Sequence, residues 1–309
     1  MTDTQLLAGK TALITGAGRG VGREIALAMA QQGAKVLVND LGGSADGADD
    51  GSASPSPADE VVAEIRAAGG TAAANHDSVT SFAAAGRMVE QARDELGGLD
   101  IVVNNAGILR DRIFHKMSEE DWDLVVDVHL KGSFNVARQA AEVFRAQNAG
   151  RMIHMTSTSG LIGNFGQASY GAAKLGITAL SKCIALDMAR YNVTSNCIGP
   201  FAWSRLVGTI PVNSEADRIR VERMKAMTPA KIAPPVVALA SDQAQHISGQ
   251  IFCVRGNEIF LMGQSRPLRA MQRDGGWDAE SVLDHAFPAL KGSMYPLERS
   301  PEVFNWDPV

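Results

Sequence analysis

The stretch Thr11-Ala-Leu-Ile-Thr15-Gly-Ala-Gly-Arg-Gly-Val-Gly22 passes directly from an apolar run into a glycine-rich turn. The apolar run is typical of a buried strand, and the residues after the turn have a helical pattern that stops at Gly33. Glycines between a strand and a helix permit a tight turn and let backbone N–H groups approach a pyrophosphate at the positive helix end. A turn without a ligand can look the same, so the surrounding pattern must decide.

Strand and helix signals alternate from residue 10 to about 255, the pattern of a parallel sheet covered on both faces. Strands are predicted at 11–15, 35–39, just before Asp77, 101–104, 151–155, 193–198 and 250–254. Helices are predicted from the glycine turn to Gln32 and around 58–69, 80–96, 119–148, 169–190 and 215–225.

Two segments break this alternation. Residues 41–57 are rich in Gly, Ser, Ala, Asp and Pro, which predicts a long loop. The tail from Gly263 onward has weak periodicity and several prolines. We therefore expect one domain over residues 1–262 and an irregular extension over 263–309, which covers either the rim of its own substrate site or a neighbouring subunit.

The bulk composition excludes several classes of protein. Of 309 residues, 45% are hydrophobic and 20% charged, which is typical of a globular protein with ample core. The net charge of -5, with no long basic run, argues against a nucleic-acid partner. Cys183, Cys197 and Cys253 are isolated, which predicts reduced, buried thiols and no metal site. Without a long apolar stretch or a secretory leader, we expect no membrane partner and a cytoplasmic location.

A carboxylate at the end of the second predicted strand indicates which dinucleotide the site would prefer. Asp40 could accept hydrogen bonds from both ribose hydroxyls and would repel a 2′-phosphate, so it predicts NAD rather than NADP. Arg19 would point the other way if it assisted a 2′-phosphate, but we interpret it as solvent-exposed. Asp77 is predicted either to bind the adenine amino group or to be a helix N-terminal carboxylate.

Two further turns follow predicted strands. In Asn104-Asn-Ala-Gly107, small residues would leave room for adenosine and the Asn side chains would tie strand ends together, although an ordinary turn favours the same residues. Backbone groups of Ile198-Gly-Pro200 are expected to hold the nicotinamide carboxamide.

Tyr170 and Lys174 stand four residues apart, and Ser157 precedes Tyr170 by thirteen. With the glycine turn and Asn104–Gly107, this set resembles the short-chain dehydrogenase/reductase family over residues 8 to about 255. The resemblance implies an α/β, Rossmann-like, doubly wound seven-stranded parallel sheet and a nicotinamide cofactor. It also implies a homodimer or homotetramer. The cofactor-binding residues expected are Gly16, Gly18, Arg19, Gly20, Val21, Gly22, Asp40, Asp77, Ser78, Asn105, Ala106, Gly107, Tyr170, Lys174, Ile198 and Pro200.

Some segments suggest a subgroup of that family. Residues 38–43, 105–112, 128–134 and 163–167 resemble the (3R)-hydroxyacyl-CoA dehydrogenase unit of type 2 peroxisomal multifunctional enzymes, also known as 17β-hydroxysteroid dehydrogenases type 4. Bacterial relatives in fatty-acid and steroid side-chain breakdown carry similar segments. The resemblance implies NAD-dependent oxidation of a (3R)-hydroxyacyl-CoA. The alternative is a dehydrogenase of free hydroxysteroids or other secondary alcohols.

The predicted catalytic residues are Ser157, Tyr170, Lys174 and His129. Lys174 follows Tyr170 by one helical turn, so its ammonium and the nicotinamide charge should lower the phenol's pKa. We therefore expect Tyr170 to be the general base in oxidation and the general acid in reduction. Lys174 should also bond the nicotinamide ribose.

The roles of Ser157 and His129 follow from the resemblance. Ser157 is identified by the family's thirteen-residue offset as the donor to the substrate oxygen, although Thr156, Thr158 and Ser159 are competing hydroxyls nearby. His129 stands where many members of the family have Asn, and it either shapes a helix kink or relays protons.

The substrate side is predicted less specifically. Phe201 to Met227 should form an apolar lid, which suits an acyl chain or a steroid but also plain packing. Arg218, Arg220, Arg223 and Lys225 could meet the phosphates of coenzyme A or form a solvated helix face. Arg110 and Arg112 are either anion contacts or loop charges paired with Asp111.

Overall fold

The computed structural model describes residues 5–42, 56–202, 215, 218, 222 and 225–308. It confirms the predicted α/β Rossmann-like architecture. One sheet with the strand order β3-β2-β1-β4-β5-β6-β7-β8 runs through the molecule. Its strands are β1 (Thr11–Thr15), β2 (Lys35–Asn39), β3 (Ala72–Asn75), β4 (Ile101–Asn104), β5 (Gly150–Met155), β6 (Val193–Phe201), β7 (Ile251–Arg255) and β8 (Glu258–Leu261).

The sheet has one strand more than the seven that were predicted. Strands β1 to β7 are parallel, whereas β8 pairs antiparallel with β7, from Phe252 opposite Leu261 to Arg255 opposite Glu258. Gly256, at φ +60°, permits the tight reversal between them. The residues of β8 are half-buried or exposed in alternation, so this edge strand lacks the apolar run that identifies the others.

The helices lie close to their predicted ranges. The predicted helix over 119–148 contains a π-helical turn at Asp127–Lys131, and the one around 215–225 lies largely outside the described residues. The α-helices are α1 (Gly20–Gln31), α2 (Pro57–Ala67), α3 (Phe82–Leu96), α4 (Glu119–Val126), α5 (Gly132–Gln147), α6 (Thr158–Leu161), α7 (Ala168–Met188), α8 (Ala233–Ala240), α9 (Ala279–Ser281), α10 (Phe287–Leu290) and α11 (Ser300–Val303). Short 3₁₀ turns lie at Phe114–Lys116, Ala189–Tyr191, Pro229–Ile232, Asp242–Ala244 and Lys291–Ser293, and a second π-helical turn at Val282–Ala286.

Two apolar clusters sandwich the sheet. Successive residues of a strand point to opposite faces, so Ile14 packs with α1, α2 and α8, while Leu13 packs with α3 and α5. Each fully buried side chain of this size contributes roughly 1.5–3 kcal/mol to stability. Because both faces are covered, the site must lie at the carboxyl ends of the parallel strands.

The cysteine prediction was partly wrong. Cys197 and Cys253 are buried, and burial raises the pKa of each thiol to about 12. Cys183, on α7, is exposed. Because Cys183 lies within an apolar stretch of sequence, the pattern did not indicate that its side chain faces outward from the helix.

Candidate active site

The glycine turn is shaped by close approaches that exclude side chains. A Cβ atom on Gly22 would lie 2.2 Å from the Gly16 carbonyl oxygen, and one on Gly18 would lie 2.5 Å from Pro57 Cβ. Gly16 and Gly20 adopt φ +61° and +57°, which favours glycine. No side chain caps α1, whose N-cap residue is Arg19. The turn therefore offers backbone N–H groups and the positive end of a helix to a phosphate group.

Asp40 lies directly beside this turn. Its Oδ2 accepts a hydrogen bond from the Gly18 N–H (2.8 Å), and its Oδ1 accepts one from Gly42 (2.9 Å). The end of β2 thus brings a carboxylate to the glycines, as a ribose-binding role requires.

Asn105 fastens the end of β4 to the end of β1. Its Nδ2 donates to the carbonyls of Thr15 (3.0 Å) and Gly16 (2.9 Å). The Thr15 hydroxyl in turn accepts from the N–H groups of Asn105 (3.0 Å) and Ala106 (3.1 Å). Asn105 therefore ties the two strand ends together, as predicted, and with Ala106 it holds the shape of the glycine turn.

Other predicted cofactor residues have protein partners. Asp77 forms an ion pair with Arg87, and Ser81 rather than Asp77 caps α3, so the alternative of a helix-capping carboxylate is wrong. The Ser78 hydroxyl lies 2.9 Å from that of Thr80. The remaining positions differ in exposure: Arg19 is exposed, Val21 packs against the core, Ile198 is buried and Pro200 is half-buried.

The structure brings the predicted catalytic residues together, with Ser157, Tyr170 and Lys174 at the centre. Ser157 follows β5 and caps α6, and Tyr170 lies in the first turn of α7 within hydrogen-bonding reach of Ser157. Lys174 is buried one turn further along, with its Nζ 5.6 Å from the centre of the Tyr170 ring. This Nζ donates a hydrogen bond to the Met155 carbonyl (2.7 Å).

The competing hydroxyls have other partners. Thr156 donates to the Lys174 carbonyl (2.8 Å), Ser159 donates to Gln167 (2.7 Å), and Thr158 accepts from Ser300 (2.5 Å). Ser157 accepts from the Ser159 N–H (3.2 Å) and contacts the phenol of Tyr170. The geometry thus favours Ser157 among the four.

His129 lies in the π-helical turn, and its ring meets the Tyr170 ring edge-on at 5.2 Å. Nε2 is 2.7 Å from the Ile108 carbonyl oxygen, while Nδ1 is buried without a protein partner. A Cβ on Gly107 would come within 2.4 Å of the ring, so the ring requires glycine there. Burial, followed by the charge of Lys174, lowers the pKa of His129 to about 3. The ring is therefore neutral at physiological pH.

The pKa of Tyr170 departs from the expectation. Burial raises it, the hydrogen bond with Ser157 lowers it less, and the charge of Asp111 raises it further. In the protein alone, the phenol's pKa is therefore raised rather than lowered, because burial outweighs the effects that favour the phenolate. Burial also lowers the pKa of Lys174 to about 7, so its ammonium is only partly charged at neutral pH.

Gln167 and Asp111, which lie at the rim, were not predicted as parts of the site. Gln167 donates to Asp111 (2.8 Å) and accepts from Ser159, and the Arg112 N–H donates to the Gly166 carbonyl (2.8 Å). These bonds join the segment after β4 to the segment before α7. Arg112 lies 3.9 Å and Arg110 3.7 Å from the carboxylate of Asp121, and Arg112 Nη1 donates to the backbone carbonyl of Asp111 (3.0 Å).

The sequence also predicted that there is no metal site and no membrane-spanning segment. Among the described residues, no group of His, Cys, Asp or Glu is arranged to hold a metal ion. In the same part of the chain, no helix combines the length and apolar character needed to cross a membrane. Most of the predicted lid, like most of the loop 41–57, lies outside the described residues.

Comparison with known proteins identifies the relatives of this chain. The family model for short chain dehydrogenase matches residues 10–204. A short-chain type dehydrogenase/reductase of Mycobacterium tuberculosis is 47% identical over 247 residues, covering 80% of this chain and 82% of that protein. Hydroxyacyl-CoA dehydrogenase ChsB1 of the same organism is 40% identical over 286 residues, covering 90% and 87%.

A third relative is much longer. Peroxisomal multifunctional enzyme type 2 of Mus musculus is 44% identical over 279 residues, which are 90% of this chain but only 36% of the mouse protein. This chain therefore spans about a third of that multifunctional enzyme.

Solved structures agree with the fold. A short chain dehydrogenase from Mycobacterium avium has a TM-score of 0.82 at 37% identity, covering 94% of this chain and 97% of that one. A 7α-hydroxysteroid dehydrogenase complexed with NADH and a bile acid has a TM-score of 0.71 at 29% identity, covering 83% and 97%. The predicted oxidoreductase class and its NAD cofactor are thus confirmed at the level of the family. The chain belongs to the short-chain dehydrogenases.

Proposed function

We propose that this protein oxidises the 3-hydroxyl group of (3R)-hydroxyacyl-CoA thioesters with NAD, the acyl group being a fatty acid or a steroid side chain. The observation that carries the proposal is the 40% identity to a hydroxyacyl-CoA dehydrogenase over 90% of this chain. The similarity to a multifunctional enzyme of peroxisomes supports the same reaction. In this proposal, residues 1–262 form the catalytic domain, residues 263–309 cover the substrate rim, and the location is cytoplasmic.

The residues present fit an NAD cofactor. The glycine turn at Gly16–Gly22 would hold the pyrophosphate, and Asp40 would bind the adenosine ribose and repel a 2′-phosphate. Asn105 and Ala106 would border the adenosine, and Lys174 would bond the nicotinamide ribose. When bound, the nicotinamide accepts a hydride from the carbinol carbon and returns it in the reverse reaction.

The chain's own residues manage the proton of the hydroxyl group. Ser157 Oγ donates a hydrogen bond to the substrate oxygen, and Tyr170 Oη accepts the proton in oxidation and donates it in reduction. Because burial raises the phenol's pKa, Tyr170 needs positive charge nearby to act as a base. Lys174, one helical turn away, and the nicotinamide, when bound, would supply it. His129 is neutral and packs against Tyr170, so it orients the phenol.

An assay of NAD reduction tests the proposal. Purified protein is supplied with (3R)- and (3S)-hydroxyacyl-CoAs of several chain lengths and, separately, with free 17β- and 7α-hydroxysteroids. Turnover of the (3R)-thioesters alone is the expected result. Turnover of free steroids only contradicts it and supports the second candidate, a hydroxysteroid dehydrogenase, which the likeness to the 7α-hydroxysteroid enzyme favours.

The same proposal includes a homodimer or homotetramer. Helices α5 and α7 border a groove lined by Phe134, Leu180 and Ile184, and Phe134 and Leu186 are exposed. Such apolar surface on neighbouring helices favours burial against a second copy. Light scattering that gives the mass of a monomer at assay concentrations would contradict this part.

A further inference from the structure

Ser300, in the C-terminal extension, makes two hydrogen bonds to the segment that begins at Ser157. Its Oγ donates to Thr158 Oγ1 (2.5 Å), and its N–H donates to the Gly163 carbonyl (3.0 Å). Ser300 and Thr158 are only 6% and 8% exposed. Because 142 residues separate Ser300 from Thr158, this contact depends on the packing of the extension.

The extension has an anchor of its own beyond Ser300. The ring of Phe304 is buried, with ring centres 4.9 Å from Phe201 and 5.2 Å from Phe260. Arg255 donates to the carbonyls of Phe304 (3.3 Å) and Trp306 (2.9 Å). Ser300 is therefore held in place even without its side-chain hydrogen bond.

The segment that Ser300 contacts has little structure of its own. Helix α6, Thr158–Leu161, is a single turn, and a helix so short is not stable by itself. Gly163 then leaves the helix at φ +133°, a conformation that favours glycine. On the other side, Ser159 is tied to Gln167. The turn packs on α7, where a Cβ on Gly160 would lie 2.7 Å from the Leu175 nitrogen. This packing and the contacts with Gln167 and Ser300 together fix the path of the chain after Ser157.

The position of Ser157 Oγ depends on this path. Ser157 is the cap of α6, its Oγ accepts from the Ser159 N–H, and it contacts Tyr170. A shift of the turn at 158–163 would move both the Ser159 N–H and the backbone that carries Ser157. Misplacing a reacting group by about 1 Å can cost on the order of 100-fold in rate.

We propose that Ser300 is a positioning residue, which fixes the one-turn helix after β5 through Thr158 and Gly163 and thereby aims the Ser157 hydroxyl at the substrate oxygen. This inference rests on the proposed function, in which Ser157 binds that oxygen. It assigns to the C-terminal extension a part in the reaction, in addition to covering the substrate rim.

Kinetics of matched variants test the proposal. Ser300→Ala removes the side-chain donor, whereas Ser265→Ala, at an exposed serine of the same extension, is the control. We expect Ser300→Ala to lower kcat by roughly 10-fold and to leave the KM for NAD within about twofold. Ser300→Thr should keep most of the activity, and Ser300→Ala combined with Thr158→Val should be little worse than Ser300→Ala alone.

Hydrogen exchange separates this proposal from the proposed function. Amides of residues 158–163 should exchange faster in Ser300→Ala than in wild type and in Ser265→Ala, whichever substrate the enzyme uses. If these amides exchange in Ser300→Ala as they do in the wild type, the proposal is overturned. It is also overturned if Ser300→Ala keeps the wild-type kcat and only its Tm falls, because Ser300 would then be purely structural. If the wild type oxidises none of the alcohols supplied, the proposed function fails, and the exchange of these amides still shows whether Ser300 holds the segment.

Discussion

Lys174 Nζ lies 5.6 Å from the centre of the Tyr170 ring and donates its hydrogen bond to the Met155 carbonyl at the end of β5. The lysine is buried, and this burial lowers its pKa to about 7. Its charge therefore changes near neutral pH. The stability of the protein should reflect this titration.

Replacing Lys174 by Met should abolish turnover and stabilise the protein at low pH. In the unfolded chain Lys174 keeps its proton up to about 10.5, but in the folded protein only up to about 7, so the unfolded state binds more protons between these values. Stability of the wild type should therefore rise with pH across this window relative to Lys174→Met. Melting temperatures measured from pH 6 to 10 should show the variant's advantage largest near pH 6 and shrinking as the pH rises. An advantage that is independent of pH would contradict the lowered pKa.

Replacing Tyr170 by Phe should lower kcat by roughly 1,000-fold, because the phenol hydroxyl carries the proton. Affinity for NADH, measured by fluorescence titration, should change little, since the ring and its contact with His129 remain. Tyr191→Phe, at the 3₁₀ turn that follows α7, is the matched control and should keep wild-type turnover. Comparable activity in the two variants would remove Tyr170 from the reaction.

The sheet and the glycine turn were predictable because both rest on local patterns. Buried parallel strands such as Ile101–Asn104 read as apolar runs, and a turn that admits no side chains must contain glycine, as Gly22 shows. The spacing of Tyr170 and Lys174 on one helix is equally local. Strand β8 was missed because it lies at the edge of the sheet and has no apolar run in its sequence. Its Phe260 is covered instead by Phe304 of the extension.

The electrostatics of the site could not be predicted, because they depend on contacts between distant segments. A charged neighbour four residues away suggested a lowered pKa for Tyr170, but the folded chain buries both groups and places Asp111 within electrostatic reach. The partnership of Ser300 with Thr158 likewise joins segments with no shared pattern. The signal for Gln167 was present, since residues 163–167 belong to the family resemblance, but its role was not assigned.

Replacing Asp40 by Asn should shift cofactor preference towards NADP. The amide can still accept the hydrogen bond from the Gly18 N–H, so the turn keeps its shape, whereas the charge that repels a 2′-phosphate is lost. We expect the ratio of kcat/KM for NADP to that for NAD to rise by roughly 10-fold, or about 1.4 kcal/mol. Asp59→Asn, at an exposed carboxylate on α2, is the control. An unchanged ratio would show that Asp40 does not select the cofactor.

Replacing Gly107 by Ala should displace the His129 ring, because the new Cβ would lie 2.4 Å from a ring atom. The ring packs on Tyr170, so kcat should fall by roughly 10-fold, and overpacking should cost about 1–3 kcal/mol of stability. Gly98→Ala is the control, since its Cβ meets no atom within 4 Å. Kinetics and thermal melts of both variants distinguish the outcomes. Equal behaviour of the two would mean that the contact between Gly107 and His129 is unimportant.

Replacing Arg255 by Lys should loosen the C-terminal extension. The buried guanidinium donates to the carbonyls of Phe304 and Trp306, pairs with Glu258, and stacks 4.6 Å from the Trp306 ring. A lysine keeps the charge but cannot form this set of bonds, so the free energy of unfolding should fall by about 2 kcal/mol.

The same variant should make the extension a preferred site of limited proteolysis, because residues 263–308 lose one of their attachments to the β7–β8 hairpin. Arg266→Lys, at an exposed arginine of the extension, should match the wild type in denaturant midpoint and in its proteolytic fragments. If Arg255→Lys unfolds at the control's midpoint, the hairpin does not hold the extension through Arg255. If it loses stability without earlier cleavage in the extension, the arginine stabilises the sheet edge instead.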